Sequence, residues 1–546
     1  MRLFSALALS TLLASTACAP SGKVNTAADA DDPRATPSSD GAEPAEATKK
    51  PSGPAADVLY PAPSAVPEAA SSCVAAGPLP AQKSCPEARP RLATLLAGDE
   101  AQLDAGLAEL ETCVEFPAGL VRALRVELGD AKCGDVALAP VVGEGVDASA
   151  LAPDIREALV ALGLGARLRR LAVDQPAPPK ERSKEALDTY FKEALFPWIS
   201  SQAKAIFEMA RQGTALSGYA RGVVAIEAGN ADMRFVEIAR EVPVSDDIEK
   251  EQEAKDLYYV TLDEQLEPRK ARGRNAALVG MREMARIGVR GGERLSSARS
   301  LLSRAYGGRR VNALDTLMVP EVAPAKAETD AAAIASRVPT SYAAALVGGA
   351  PVTANLVRAH LNQGITVALR RAVASMKDND ESKLLLARAL FESGRTFFRA
   401  EDFQAASALL TGLLDAEKSR LDDEAREEAV LLRALSVALL AGPKDATEMI
   451  AKGPRFADTM GNLVMLDGLA ERKGELGGRG AFDAAYLREL VAPPGSPDYW
   501  KDLATRYRAA SRKLKGSERK LASERGQACA EIERTIRREL ATQKKN

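Results

Sequence analysis

The sequence predicts an all-α fold of antiparallel helical hairpins, either stacked as a solenoid or gathered into an irregular bundle, and three observations point there. From Pro86 to the C-terminus, apolar residues recur at three- and four-residue spacing, with no convincing run of strict alternation. Aromatic residues make up only 4% of the chain, whereas Ala, Leu, Arg and Glu abound, a composition suited to helices and not to a β-sandwich or an α/β sheet. Gly and Pro interrupt the periodicity often enough to leave helices of about 10 to 25 residues. Breaks are expected at the Pro-rich turn 175–179, Pro197, Gly213, Gly229-Asn230, Pro243, Pro268, Gly291-Gly292, Gly307-Gly308, Pro339, Gly348-Gly349, Gly442-Pro443, Gly477-Gly478 and Pro493-Pro494.

The N-terminus has the three regions of a secretory signal peptide, residues 1–17. A basic residue, Arg2, precedes an apolar stretch from Leu3 to Leu13, and the small residues Ala14, Ser15, Thr16 and Ala17 lead to Cys18. The apolar run is well short of the roughly 20 residues that span a bilayer as a helix. Ser15-Thr16-Ala17-Cys18 resembles the lipobox of bacterial lipoproteins, although Ser15 stands where Leu is usual. The resemblance implies lipidation of Cys18 as the new N-terminus, and Ala19 in place of aspartate implies the outer membrane, facing the periplasm or the surface. Ordinary cleavage after Ala17 or Ala19 is the alternative. Residues 18–72 are rich in Pro, Ala and Ser, with few large apolar residues, and read as the lipidated cysteine followed by a disordered linker.

Removing Arg2 with the leader takes the net charge from −2 to −3, which argues against a nucleic-acid partner. Cys73, Cys85, Cys113 and Cys133 cluster, as expected of two disulfides in an exported chain. No CxxC occurs, so thioredoxin-like chemistry and c-type haem attachment are excluded, and a four-cysteine zinc site is a minor alternative. A helix begins after Cys85-Pro86, Gly98-Asp99 forms a break, and a second arm of nearly equal length runs to Cys113. In an antiparallel hairpin that puts Cys85 and Cys113 at the same open end, leaving Cys73 to pair with Cys133. Cys529 remains an unpaired thiol. These four cysteines define a small stapled helical domain at 73–150.

Beyond it we expect a helical hairpin domain at 180–320, a repeat domain at 327–475 and C-terminal capping helices at 480–546. The hairpin at 382–414 resembles a tetratricopeptide repeat, with Leu390, Gly394 and Phe397 on its first arm and Phe403, Ala406 and Leu410 on its second. The resemblance implies small residues where helices cross and large ones wedged between units. A second, divergent unit places Val430, Ala434, Val437, Ala446 and Ile450 on the same frame, with Gly442-Pro443 at its turn. Two further hairpins, 218–240 with its turn at 228–230 and 276–304 with its turn at Gly291-Gly292, match less well. Residues 501–546 carry 14 basic and 6 acidic side chains. A polar cap for the open end of a solenoid is expected there, with a basic patch for lipid headgroups or an acidic partner as the sharper alternative.

The search for chemistry returns little. The one histidine, His360, is placed on a helix 353–377 as a border residue beside Leu361 and Ile365, and one histidine cannot build a multi-histidine zinc site. Ser201/Lys204 and Ser517/Lys520 both spell SxxK, but no KTG accompanies them. Glu392-Ser393 resembles the catalytic pair of lytic transglycosylases, without the downstream segment that family carries. No P-loop, dinucleotide fingerprint or nucleophile elbow occurs. The expectation is therefore a membrane-tethered, non-enzymatic scaffold of the cell envelope, without cofactor or metal, binding an envelope protein or peptide. The alternative is a cell-wall glycan-acting enzyme.

Overall fold

The computed structural model describes residues 58–543 except 306–310, 339–341, 377–378, 417–418 and 456–459. The leader, Cys18, the linker as far as residue 57, Gly307-Gly308 and Pro339 lie outside the described residues. Within them the regular structure is helical, with no strand and three isolated bridges: Leu59 with Gly143, Lys83 with Cys113, and Val289 with Ile365. The chain is all-α, its helices packed in a way compatible with a solenoid or a bundle.

Four short helices, Ala88–Ala97, Glu100–Leu110, Leu120–Leu128 and Gly134–Val142, form the stapled N-terminal unit. Asp99 caps the second by accepting from the Ala101 N–H. Cys85 bonds to Cys113 and Cys73 to Cys133, with Cα separations of 5.3 and 5.2 Å, so the hairpin argument selects the observed pairing. Residues 58–72, read from sequence as linker, instead lie along the helical body. Leu59 and Val66 are buried there, which a disordered spacer does not allow.

The helix Pro153–Arg170 falls in the gap between the predicted domains at 73–150 and 180–320, yet it is buried along almost its whole length. It packs against the Gly134–Val142, Leu120–Leu128, Phe196–Thr214 and Gly218–Glu241 helices. One continuous apolar cluster runs from Leu59 to Cys529, so the four predicted units share a core; a smaller cluster gathers around Val357, Leu361 and Leu369.

Two expected breaks are absent from the central pair of helices. Gly218–Glu241 runs straight through Gly229-Asn230, and Gln252–Arg286 runs through Pro268. Gly229 serves a crossing: a Cβ there would stand 2.8 Å from the Gly273 carbonyl oxygen, and one on Gly280 would stand 3.1 Å from that of Gly222. The two contacts repeat seven residues apart on each antiparallel helix, bringing the backbones together along two turns. Pro268 is tolerated because it and Glu264, whose carbonyl loses its helical donor, are both exposed to water. In the 276–304 hairpin the turn falls as expected, between Arg286 and Glu293, but the first arm is much longer than anticipated.

The segment around His360 is two helices, Ala354–Asn362 and Thr366–Ser375, broken at Gly364 in the left-handed region at φ +76°. The hairpin read as repeat-like is Asp380–Phe397 and Ala400–Asp415, reversed through Phe398 at φ +59°. Leu390, Phe397, Phe403, Ala406 and Leu410 are all buried. A Cβ on Gly394 would meet the Phe403 ring at 2.8 Å, so the small residue does sit where the arms close. The following unit is lopsided, with Asp423–Leu439 against only Ala446–Lys452. Gly477-Gly478, expected to break the chain, lie inside Gly474–Leu490, where Gly478 accommodates Leu514. The last two helices, Pro497–Ser511 and Gly516–Gln543, pack on each other at the C-terminus.

Two stability effects follow from this packing. Cys73→Ser/Cys133→Ser opens a loop of sequence separation 60 and is expected to lower the unfolding free energy by about 4 kcal/mol in urea titration. Gly229→Ala forces the central helices apart and should cost about 1–3 kcal/mol in the same measurement, with helical content retained.

Candidate interaction groove

Residues 58–72 form a non-helical strap, because Pro61, Pro63 and Pro67 remove N–H donors and disfavour helix, and it turns where the Val66 N–H donates to the Pro63 carbonyl at 2.9 Å. Its first anchor is Leu59, whose N–H donates to the Val142 carbonyl at 2.7 Å. The Leu59 side chain fills a notch that exists only because residue 163 is glycine; a Cβ at Gly163 would lie 2.7 Å from Leu59 Cδ2. Beyond Leu59, side chains of the body donate to strap carbonyls. Gln212 donates to Val58, Arg167 to Tyr60, Gln202 to Ala65 at 2.7 Å and Arg170 to Pro67 at 3.0 Å. Downstream, Arg122 donates to the Gly77 carbonyl at 3.0 Å.

These guanidinium groups are themselves fixed from below. Buried Asp135 accepts from Arg170 at 2.5 and 2.7 Å and from Arg167 at 3.1 Å. Burial pushes the Asp135 carboxyl up, but Arg170 and Arg167 outweigh it and hold it below the usual carboxylate value. The two arginines are thus oriented and left with N–H groups aimed at the strap. Sequence reading missed this arrangement, although Arg167 and Arg170, one turn apart directly after the apolar stretch 158–166 of their helix, were a visible sign of it.

Beside the strap lies an open trough of about 510 Å³. Tyr60, Pro61 and Pro63 form one wall and Leu164, Arg167, Met209 and Gln212 are also lining residues. The rim carries Lys204, Phe207, Glu208 and Arg211. Phe207 is 62% exposed, a large aromatic ring presented to solvent at the edge of a concave surface.

The reactive groups singled out from sequence are otherwise engaged. Glu392 is 5% exposed and sits between Arg388 at 3.0 Å and Arg395 at 2.6 Å. Burial pushes its carboxyl up, but Arg395, Arg290 and Arg388 together hold it below the ordinary glutamate value. A glycosidase acid needs the opposite shift, so Glu392 is unsuited to that role. Ser393 donates to Asp402 at 2.6 Å. His360 is buried, not at the border, and burial pushes it down to about 4; its Nδ1 has no hydrogen-bond partner among the described residues. Ser201 donates to the Trp198 carbonyl at 2.8 Å while Lys204 is exposed near Glu208, so this SxxK forms no nucleophile pair. Lys520 is likewise exposed, 4 residues from its partner Glu524. Burial raises the Cys529 thiol to about 12, which leaves it inert. The sulfurs of Cys85 and Cys113 form their disulfide, and the adjacent Glu115 accepts from the Cys85 N–H at 2.9 Å, so this cluster offers no thiolate to a metal.

Asp483 belongs to a junction instead. It is fully buried on Gly474–Leu490 and accepts from the Met318 N–H at 2.8 Å, while its second oxygen has no partner among the described residues. One turn on, Tyr486 donates to the Ala313 carbonyl, so one helix face holds the chain at both Ala313 and Met318. Burial pushes the Asp483 carboxyl up to about 8, against the Met318 N–H, with Glu518 adding to the rise and Arg395 and Arg479 opposing it.

Comparison with family models, with curated proteins and with solved structures gives no match.

Two expectations test these assignments. The unfolded chain releases the Asp483 proton near 3.8 and the folded one near 8, so the folded state binds more protons between those values. Its contribution therefore falls as pH rises through that window, by up to about 1.4 kcal/mol per pH unit. Asp483→Asn removes this slope, which urea unfolding of both proteins at pH 5, 7 and 9 would reveal as a widening gap in favour of the variant. Glu392→Gln leaves buried guanidinium groups short of a counter-charge and should cost about 3–5 kcal/mol of stability in the same titration at pH 7.

Proposed function

We propose that this protein is a non-enzymatic interaction scaffold of the bacterial cell envelope, exported by its leader and tethered through a lipid on Cys18, with divergent tetratricopeptide-like hairpins in its body. The observation that carries the reading is the way the chain joins the fold. The Pro-rich segment that follows Cys18 leads to a strap fastened across two helices at residues 58–67, beside an open trough with an exposed aromatic rim. A tether needs such a fixed handover point, and a scaffold needs concave surface close to it.

Other features support the same reading. Both disulfides suit an oxidising compartment. No helix among the described residues is long and apolar enough to cross a membrane. The acid expected of a glycan-cleaving enzyme, Glu392, is held ionised by three arginines. The hairpin at Asp380–Phe397 and Ala400–Asp415 closes where Gly394 meets the Phe403 ring, with Ala406 buried, as a repeat unit would.

The anchor is tested by expressing the full chain in a Gram-negative host and measuring intact mass and membrane fractionation. A diacylglyceryl adduct on the fragment beginning at Cys18, and release of Cys18→Ala into the soluble envelope fraction, are expected. An unmodified N-terminus in a freely soluble protein would overturn the tether.

A further inference from the structure

The strap is held mainly by its backbone. Four side chains on two neighbouring helices, Gln202 and Gln212 on Phe196–Thr214 and Arg167 and Arg170 on Pro153–Arg170, all donate to its carbonyls. Only two of its side chains, Leu59 and Val66, are buried between residues 58 and 72. A surface with these properties selects a non-helical backbone, turned once at Pro63–Val66, and an apolar residue at two places seven apart. It asks little else of the sequence it holds. Prolines suit such an occupant, because they fix φ and exclude helix in advance and so lower the entropy lost on docking.

We propose that this face is a peptide-binding groove for non-helical, proline-containing segments that turn once between apolar residues seven apart, that residues 58–67 are its resident occupant, and that a partner segment of the same chemistry binds by displacing them. The inference rests on the reading of the protein as an interaction scaffold and names the chemistry of its partner. The groove is built without help from the strap. Its arginines are oriented by Asp135, and its notch is the absence of a side chain at Gly163. The strap has no helix and no ladder of its own beyond the one bridge at Leu59 and local turns such as Val66 N–H to the Pro63 carbonyl, so it can leave without breaking a helix or a sheet. The open trough beside it, with Phe207 at its rim, offers a first landing surface while the strap is still in place. The Cys73–Cys133 bond keeps the strap close to its groove at high effective concentration, so the resident segment competes strongly with any free peptide.

Leu59→Asp in the full chain removes the apolar anchor without touching any of the four donors. The probe is a fluorescein-labelled peptide of residues 58–72, and the control is the same peptide carrying the Leu59→Asp change. Fluorescence anisotropy is expected to show the Leu59→Asp protein binding the probe at least tenfold more tightly than the unsubstituted protein does. The control peptide should bind at least tenfold more weakly, and so should the probe once Arg167→Gln is added to Leu59→Asp. A folded, disulfide-bonded Leu59→Asp protein that binds the probe no better than the unsubstituted chain, or binds probe and control alike, overturns the proposal. Should Leu59→Asp fail to fold, Pro61→Gly/Pro63→Gly loosens the strap through its unfolded-state entropy, and the same gain in probe binding is required of it. A stoichiometric envelope partner whose capture is unaffected by Leu59→Asp and by Arg167→Gln would preserve the scaffold reading and overturn this one.

Discussion

The arrangement of the body depends on how closely two helices approach. Gly218–Glu241 and Gln252–Arg286 meet through Gly222 with Gly280 and Gly229 with Gly273, close enough that a single added methyl group would strike a backbone carbonyl. Their separation sets where everything carried on Gly218–Glu241 lies, and that helix also packs on Pro153–Arg170, Phe196–Thr214 and Glu293–Ala305. If the crossing widened, the buried cluster that runs through all of these elements would lose its fit, since interiors packed at crystal-like density have little slack.

Buried charge then fixes the register that apolar packing alone leaves loose. Glu227 on the central helix accepts from Arg169 at 2.8 Å and from Arg294 at 3.1 Å, joining three helices at one carboxylate. Arg294 also pairs with Glu127 of the stapled N-terminal unit, to which Tyr219 donates at 3.1 Å. Desolvation alone would lower the Arg294 pKa, but Glu127, Tyr219 and Glu227 raise it above the ordinary arginine value. Asp232, five residues on from Glu227, is clamped by Arg272 at 2.6 and 2.7 Å on the long partner helix. Sliding any of these helices by a turn would strand a buried carboxylate, at a cost of about 3–5 kcal/mol. The glycine contacts set distance, and the ion pairs set axial position.

The groove uses the same devices for another purpose. A buried aspartate orients two arginines, a glycine supplies a notch, and what they hold is a non-helical, proline-containing segment of the chain. The proposed tether would reach the body at this place. Anchoring and recognition would then share one surface, so that whatever loosens the strap also changes what the groove can take.

How far the sequence reached is clear from particular residues. It determined the all-α class, because three- and four-residue periodicity and composition are local properties that survive any choice of tertiary partner. It determined the disulfide pairing, because two short arms of equal length put Cys85 beside Cys113. It also determined the buried positions of the 380–415 hairpin, where Gly394 and Phe403 are close in sequence. It erred at Gly229, Pro268 and Gly477-Gly478, since glycine in a helix costs about 1 kcal/mol relative to alanine, and only a neighbour that needs the space offsets this. Nothing local distinguishes a glycine that ends a helix from one that lets another helix come close. Tertiary structure alone decided that residues 58–72 are a strap, that His360 is buried, that Pro153–Arg170 is central, and that Arg167, Arg170, Gln202 and Gln212 face one segment. Each depends on groups far apart in the chain meeting across a packed surface, and a periodic pattern records only that a face is apolar, not which face it will meet.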